Sequence, residues 1–405
     1  MSVLFIADVP VADPTSGSEQ VLKQQTTGLA QQGMEVFAIT RQASPPPWII
    51  RKVVGVQEGC YRASAEAMIP FFFSLVKYPS RFYRLFSQNV RFRVAIAHQP
   101  FNCFSLLVMR KLRKVPLLYV FHSPSHEEYL LQHEDRSSFR NYPLAKIRQS
   151  IEKFCIKRAV KVMVLSYYMK EKVQDIHRIP ASRIAVNPGG VDLKRFGQAK
   201  NRAVLKANLG FPEGKIHLLT VRNLEPRMGL DNLLECIRIL KGKQAEVHLI
   251  LGGEGGEKQN LEKLVEEYGL VGDVTMTGFI PTEKLPQYYG AADFFILPTR
   301  HLEGFGLVTL ESMACGTPVL GTPVGGTKEI LANFNPRFLF RNVSPGAMAE
   351  GIQLAVVKYF GREKQYGDLR IRCREYAENN YSWKRHVDHL KSILDEIISS
   401  KELVA

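Results

Sequence analysis

Short apolar runs of strand character alternate with stretches of helical periodicity along the whole chain, a pattern that parallel sheets covered by helices satisfy and few other folds do. In the first half the runs are Val3–Ala7, Glu35–Thr40, Val94–Ala97, Leu117–Phe121 and Lys161–Leu165. In the second they are His217–Val221, Glu246–Leu251, Val274–Thr277, Phe294–Leu297 and Pro318–Gly321. At 405 residues the chain exceeds what one hydrophobic core usually spans, so each half is expected to form its own doubly wound domain, with a cleft between the two.

The break is expected near Phe196–Asn201, after the turn-rich Asn187-Pro188-Gly189-Gly190 and before a fresh helix and strand over Ala203–Val221. That sets domains at 1–198 and 199–378. Residues 379–405 carry Trp383, Val387, Leu390, Ile393 and Ile397 at helical spacing and read as a long closing helix packed back toward the N-terminal domain. Pro45-Pro46-Pro47 suggests a local extended loop.

Several function classes are disfavoured at once. An apolar fraction of 45% with 23% charged residues is that of a globular chain, not of a disordered or fibrous one. The start, Met1–Pro10, lacks the features of a secretory signal and reads as a first buried strand. The most apolar window, Ala67–Val76, contains Pro70 and Ser74 and is far short of the roughly 18 to 20 residues that cross a bilayer. The six cysteines are scattered without metal or redox spacing, which suits reducing cytosol.

The net charge of +15 is confined to one half: residues 1–200 hold 29 Lys and Arg against 14 Asp and Glu, while residues 201–405 hold 25 of each kind. No acidic residue occurs between Glu66 and Glu127. In that stretch Phe71-Phe72-Phe73, Phe82, Tyr83, Phe86 and Phe92 interleave with basic residues, the composition of a segment lying in a membrane interface or of a solvated basic face over a core. Nucleic-acid binding is the rival from another class. The neutral second half argues against it.

The strongest chemical signal is Glu303-Gly304-Phe305-Gly306-Leu307-Val308-Thr309-Leu310-Glu311, which follows the run Phe294–Leu297 and the loop Pro298–Leu302. Two glycines let backbone approach a ligand closely, and a helix beginning there offers amide N–H groups to phosphate. A carboxylate beside such a site is costly unless it serves a neutral, hydroxyl-rich group. Sugar hydroxyls meet that need.

The chain resembles glycosyltransferase family 4 over nearly its whole length. The resemblance rests on the two glutamates, Glu303 and Glu311, on the preceding Pro298-Thr299, and on the following Ala314-Cys315-Gly316-Thr317-Pro318-Val319 and Gly325-Gly326-Thr327-Lys328-Glu329-Ile330. It implies the GT-B fold, two Rossmann-like doubly wound domains facing a central cleft. It also implies a retaining, metal-independent transferase that moves a sugar from a nucleotide diphosphate donor to a saccharide or lipid-linked acceptor in glycan or envelope polysaccharide synthesis. A non-catalytic nucleotide-sugar-binding member of the same fold is the nearer rival.

By this resemblance Glu303 would contact donor-sugar hydroxyls, the amides of Gly304, Phe305, Gly306, Leu307 and Val308 the diphosphate, and Glu311 the ribose. Phe279 and Ile280 would lie beside the base, with core packing the competing reading. Arg222 and Arg227 would be the cationic pair that neutralises the leaving diphosphate, the task metal ions perform elsewhere. Many members carry a lysine before the glycine that here is Gly229; this chain has Met228, and Asn223 leaves the register of the arginine open by one residue. Ser16-Gly17-Ser18-Glu19 resembles the family's glycine-rich loop, so Gly17 and Ser18 would line the cleft near the diphosphate and acceptor; an ordinary capped helix start explains the same residues. His98 and His122 each follow a strand-like run, and His122 matches the histidine the family places against the donor sugar.

No metal site is expected. His122 and His126 are four apart, but Ser123 and Pro124 disrupt the helical zinc pattern. Gly253-Glu254-Gly255-Gly256 has Lys258 where a dinucleotide fingerprint needs its third glycine, so it reads as a family-type loop and not as an NAD site. No cofactor is expected beyond the nucleotide-sugar substrate. The expected location is the cytoplasm, with the basic half able to lie on an anionic membrane face.

Overall fold

The structure is a computed structural model that describes residues 1–402 apart from 13, 15, 43–46, 64–67 and 133–137; side chains are described except those of 68–72, 138–140 and 401–402. Pro45 and Pro46 therefore lie outside the described residues. The chain divides into two compact units, Met1–Gly189 with Trp383–Ala405, and Gly190–Ser382.

The first unit is built on eight strands: β1 (Ser2–Ile6), β2 (Glu35–Gln42), β3 (Trp48–Val53), β4 (Val56–Arg62), β5 (Val94–Ala97), β6 (Leu117–Phe121), β7 (Lys161–Val164) and β8 (Ile184–Val186). Their order is β3-β4-β2-β1-β5-β6-β7-β8, and every pairing is parallel except β3 with β4. The order runs outward from β1 in both directions, so the topological switch point, where ligands of open α/β sheets collect, falls between β1 and β5. Strands β1, β5 and β6 read as unbroken apolar runs because both faces are covered. Helix Trp383–Glu402 supplies part of that cover, burying Val387, Leu390, Ile393, Leu394 and Ile397 in the same core as Val3, Phe5, Leu22 and Val36.

The second unit holds β9 (Ile216–Val221), β10 (Val247–Gly252), β11 (Val274–Gly278), β12 (Phe294–Leu297) and β13 (Val319–Gly321) in the all-parallel order β11-β10-β9-β12-β13. Its switch point lies between β9 and β12. The loops after those two strands carry Arg222 and Glu303.

The boundary falls at 189/190, earlier than the 198/199 read from the turn signals. Residues after Gly190 already fold onto the second unit: Phe196 packs edge-on against Tyr289 at 6.0 Å, and Gln198 donates to the carbonyl of Arg370 at 3.0 Å. At the far end Tyr381 stays in the second unit, its ring 6.0 Å from Phe305 and its carbonyl accepting from Val191 N–H.

The hairpin β3–β4 has no counterpart among the strands expected from sequence. Its two-residue turn, Val54-Gly55, takes φ of 44° and 86°, the geometry of a hairpin turn that asparagine-glycine normally announces. Strand β4 also places Glu58 fully buried, where it accepts from Thr40, Val11 N–H and Arg51.

Candidate functional site

In the second unit Arg222 follows β9 and reaches Glu303, which follows β12; Nη2 stands 2.6 Å from Oε2, with both residues buried. The hydroxyl of buried Thr299 donates to the same carboxylate oxygen at 3.2 Å, and Met228 Sδ accepts from Arg222 Nη2 at 2.8 Å. Met228 therefore fills the position of the expected lysine as an apolar wall and acceptor for Arg222. Arg227 has its own partners. It donates to Glu225 at 3.0 Å and to the carbonyl of Leu302 at 3.2 Å, tying the β9 loop to the β12 loop. The structure thus brings Arg222 to Glu303 and holds Arg227 to one side, on the backbone just before it.

The Glu303–Gly306 loop is backed by Gly325-Gly326. Gly326 N–H donates to the Glu303 carbonyl at 3.0 Å, and Gly325 has φ of 58°; a β-carbon there would collide with that same carbonyl. Only glycine lets helix Gly325–Phe334 start so close to the loop. Gly306, at φ of 92°, precedes helix Leu307–Ala314, whose first residues Leu307 and Val308 are half-buried while Phe305 is buried.

Glu311 lies in the second turn of that helix and accepts from the Tyr289 hydroxyl at 3.0 Å. Burial raises the Glu311 carboxyl above its usual range, against the opposing effects of Tyr289 and Arg195. Glu303 and Glu311 accordingly have separate partners, an arginine for one and a phenol for the other. Of the expected base contacts, Ile280 is buried and packs beside Gly252, whereas Phe279 is 61% exposed after β11. Gly253-Glu254-Gly255 braces the β9 loop: Leu224 N–H donates to the Glu254 carbonyl at 2.9 Å, and a β-carbon on Gly253, at φ of 137°, would strike the Arg222 carbonyl.

In the first unit Ser16 caps helix Gly17–Gln31 in a full capping box: its hydroxyl accepts from Glu19 N–H while the Glu19 carboxylate accepts from Ser16 N–H. Gly17 and Ser18 are the first helical residues, and Ser18 Oγ is 3.2 Å from Ser16 Oγ. His98, just after β5, and His122, just after β6, meet: His98 Nδ1 lies 3.0 Å from His122 Nε2. Burial pushes the His122 imidazole down to about 4 and holds His98 well below its ordinary value. His98 continues to Gln25 at 3.1 Å, and Gln25 to His386 at 2.9 Å. The sequence reading included Thr299 in the Pro298-Thr299 motif without giving its hydroxyl a role, and it missed Tyr289, Gln25 and His386, which no local motif marks.

Among the described residues no group of three or more His, Cys, Asp or Glu side chains is arranged to hold a metal ion, and no helix is long and apolar enough to cross a membrane.

Two Rossmann-like units whose second switch point pairs an arginine with a glutamate define the class: glycosyltransferases of the GT-B fold. The family model "Glycosyltransferase Family 4" matches residues 15–195 and the model "Glycosyl transferases group 1" matches residues 201–380. The chain belongs to glycosyltransferase family 4. It is similar to a mannosylfructose-phosphate synthase of Agrobacterium fabrum, 30% identical over 252 residues that span 58% of this chain and 50% of that one. A D-inositol 3-phosphate glycosyltransferase of an Arthrobacter species is 27% identical over 348 residues, covering 82% of this chain and 80% of the relative. In fold, the solved sucrose-phosphate synthase of Thermosynechococcus elongatus matches with a TM-score of 0.81 at 22% identity, over 99% of this chain and 100% of that one.

Proposed function

We propose that this glycosyltransferase is retaining and metal-independent, and that it transfers a sugar from a nucleotide diphosphate donor to an anionic saccharide or lipid-linked acceptor in glycan or envelope polysaccharide synthesis. The observation that carries the reading is the buried Arg222–Glu303 pair at the switch point of the second unit. A cation held there can neutralise a departing diphosphate without a metal, and the carboxylate beside it suits the hydroxyls of a neutral sugar.

In the proposed reaction the anomeric carbon–phosphate oxygen bond breaks as the acceptor oxygen attacks from the same face. The acceptor's proton passes to the departing phosphate oxygen, and no protein nucleophile takes part. Arg222, Arg227 and the amides of Gly304–Val308 stabilise the leaving group, Glu303 orients the sugar, His122 adds a hydrogen bond to it, and Glu311 holds the ribose. Phe279, exposed after β11, is available to a base; Ile280 is buried and packs beside Gly252.

The anionic acceptor is supported by the charge excess of residues 1–200 and by the phosphorylated compounds in the names of the relatives. Helix Met68–Phe86 adds a reason to place that acceptor at a membrane: its exposed residues include Phe73, Val76 and Leu85 together with Lys77, Arg81 and Arg84, while Leu75, Phe82 and Phe86 face the core. We read the protein as cytoplasmic and peripheral on an anionic bilayer through this face.

Incubation with a panel of nucleotide diphosphate sugars, with and without EDTA, tests the reading. Transfer that survives EDTA and gives a product with the donor's anomeric configuration is expected. An inverted product, or loss of transfer on chelation, refutes it, and donor binding without any product would favour the non-catalytic alternative. Flotation with phosphatidylglycerol vesicles, absent with neutral ones, tests the membrane face.

A further inference from the structure

A single backbone carbonyl in the first unit stands at the end of a hydrogen-bonded chain of three histidines, of which His98 and His386 are buried and His122 is half-buried. His386, on helix Trp383–Glu402, has Nδ1 2.7 Å from the carbonyl oxygen of Pro188, which can only accept. Nδ1 of His386 therefore carries the hydrogen. In a neutral ring its Nε2 is then an acceptor, and the partner at 2.9 Å must be the NH2 group of Gln25. That fixes the amide orientation: the Gln25 oxygen faces His98 Nε2 at 3.1 Å, so Nε2 is the N–H of His98 and its Nδ1 is bare. Across 3.0 Å, His122 must donate from Nε2.

What remains is Nδ1 of His122. It is buried and has no hydrogen-bond partner among the described residues.

We infer that the Pro188 carbonyl, acting through His386, Gln25 and His98, locks His122 as the Nε2–H tautomer, so that it meets its ligand with an accepting Nδ1 and selects a hydroxyl over any group that can only accept. This rests on the proposed contact of His122 with the sugar. His386, Gln25 and His98 are positioning residues; only His122 touches the ligand. The rings are neutral because burial holds His98, His122 and His386 below their ordinary range, and Gln25, His98 and His386 are essentially out of solvent. A reversed Gln25 amide would require His386 to donate from both nitrogens, which a neutral ring cannot do.

The tautomers can be read without substrate, so this inference fails or stands apart from the transferase reading. In the full chain labelled with 15N-histidine, long-range proton–nitrogen correlation at pH 7 should give His122 as Nε2–H with a bare Nδ1, its signals assigned by their loss in His122→Gln. His98 should show the same pattern and His386 the opposite one. A His122 ring protonated on Nδ1, or on both nitrogens, overturns the inference. In Gln25→Met, which keeps the volume and removes the relay, the His122 signals should become a tautomer mixture and kcat/KM for the donor should fall about tenfold, mainly through KM. A folded Gln25→Met protein with an unchanged His122 pattern also overturns it.

Discussion

Arg222 and Glu303 stand 81 residues apart in sequence and 2.6 Å apart in space, each nearly excluded from solvent. Removing one partner of a buried pair leaves the other charge uncompensated, at a cost of about 3–5 kcal/mol. Arg222→Ala and Glu303→Ala are expected to lower the melting temperature and to reduce transfer by at least about 100-fold, the range for losing one electrostatic stabiliser. Arg227→Ala, which loses a carbonyl and a partly exposed ion pair, should cost less in both measurements. Thermal melts and initial rates on the three variants give the order.

Met228 Sδ accepts a hydrogen bond from Arg222 and is buried. A lysine there removes the sulfur acceptor and adds a second cation beside the guanidinium. Met228→Lys is accordingly expected to destabilise the protein and not to raise turnover, despite restoring the commoner family residue. A variant with higher kcat and an unchanged melting temperature would show that the site accommodates two cations.

The Tyr289 hydroxyl is the partner of Glu311. Tyr289→Phe keeps the ring packing and leaves the carboxylate short of a donor, a loss of about 1–3 kcal/mol. Weaker nucleotide diphosphate binding is expected, by roughly 5- to 150-fold on that range, with little change in kcat. Calorimetric titration of the nucleotide against wild type and variant checks this.

Gly325 can carry no side chain while the Glu303 loop stays in place. Gly325→Ala should abolish transfer and lower the melting temperature, whereas Gly346→Ala, in open space at the start of helix Pro345–Tyr359, should leave both unchanged.

Histidines shifted down by desolvation set a pH dependence. His122 and His386 are pushed down to about 4, while an unfolded histidine takes its proton near pH 6.5. Between those values the unfolded chain binds more protons than the folded one, so stability falls as pH drops through that window and levels off for these groups below it. The melting temperature should decline between pH 6.5 and 4.5, with a shallower slope in His386→Gln. An equal slope in that variant would remove His386 from the account.

The apolar strand runs, the helix Gly17–Gln31 behind its Ser16 cap, the closing helix and the glutamate pair were legible in the sequence, because each is written in residues close together in the chain. Periodicity, caps and spacing are local physics. The β3–β4 hairpin was hidden because its turn puts a valine at positive φ, and β8 because three residues carry too little pattern. Most of all, the sequence could nominate Arg222, Glu303 and His122 one at a time but could not join them to partners. The chain topology decided that, by setting the β9 and β12 loops side by side at a switch point and by folding His386 onto Gln25 across 361 residues. A buried polar atom takes as partner whatever the tertiary structure brings within about 3 Å, and no local pattern encodes that distance.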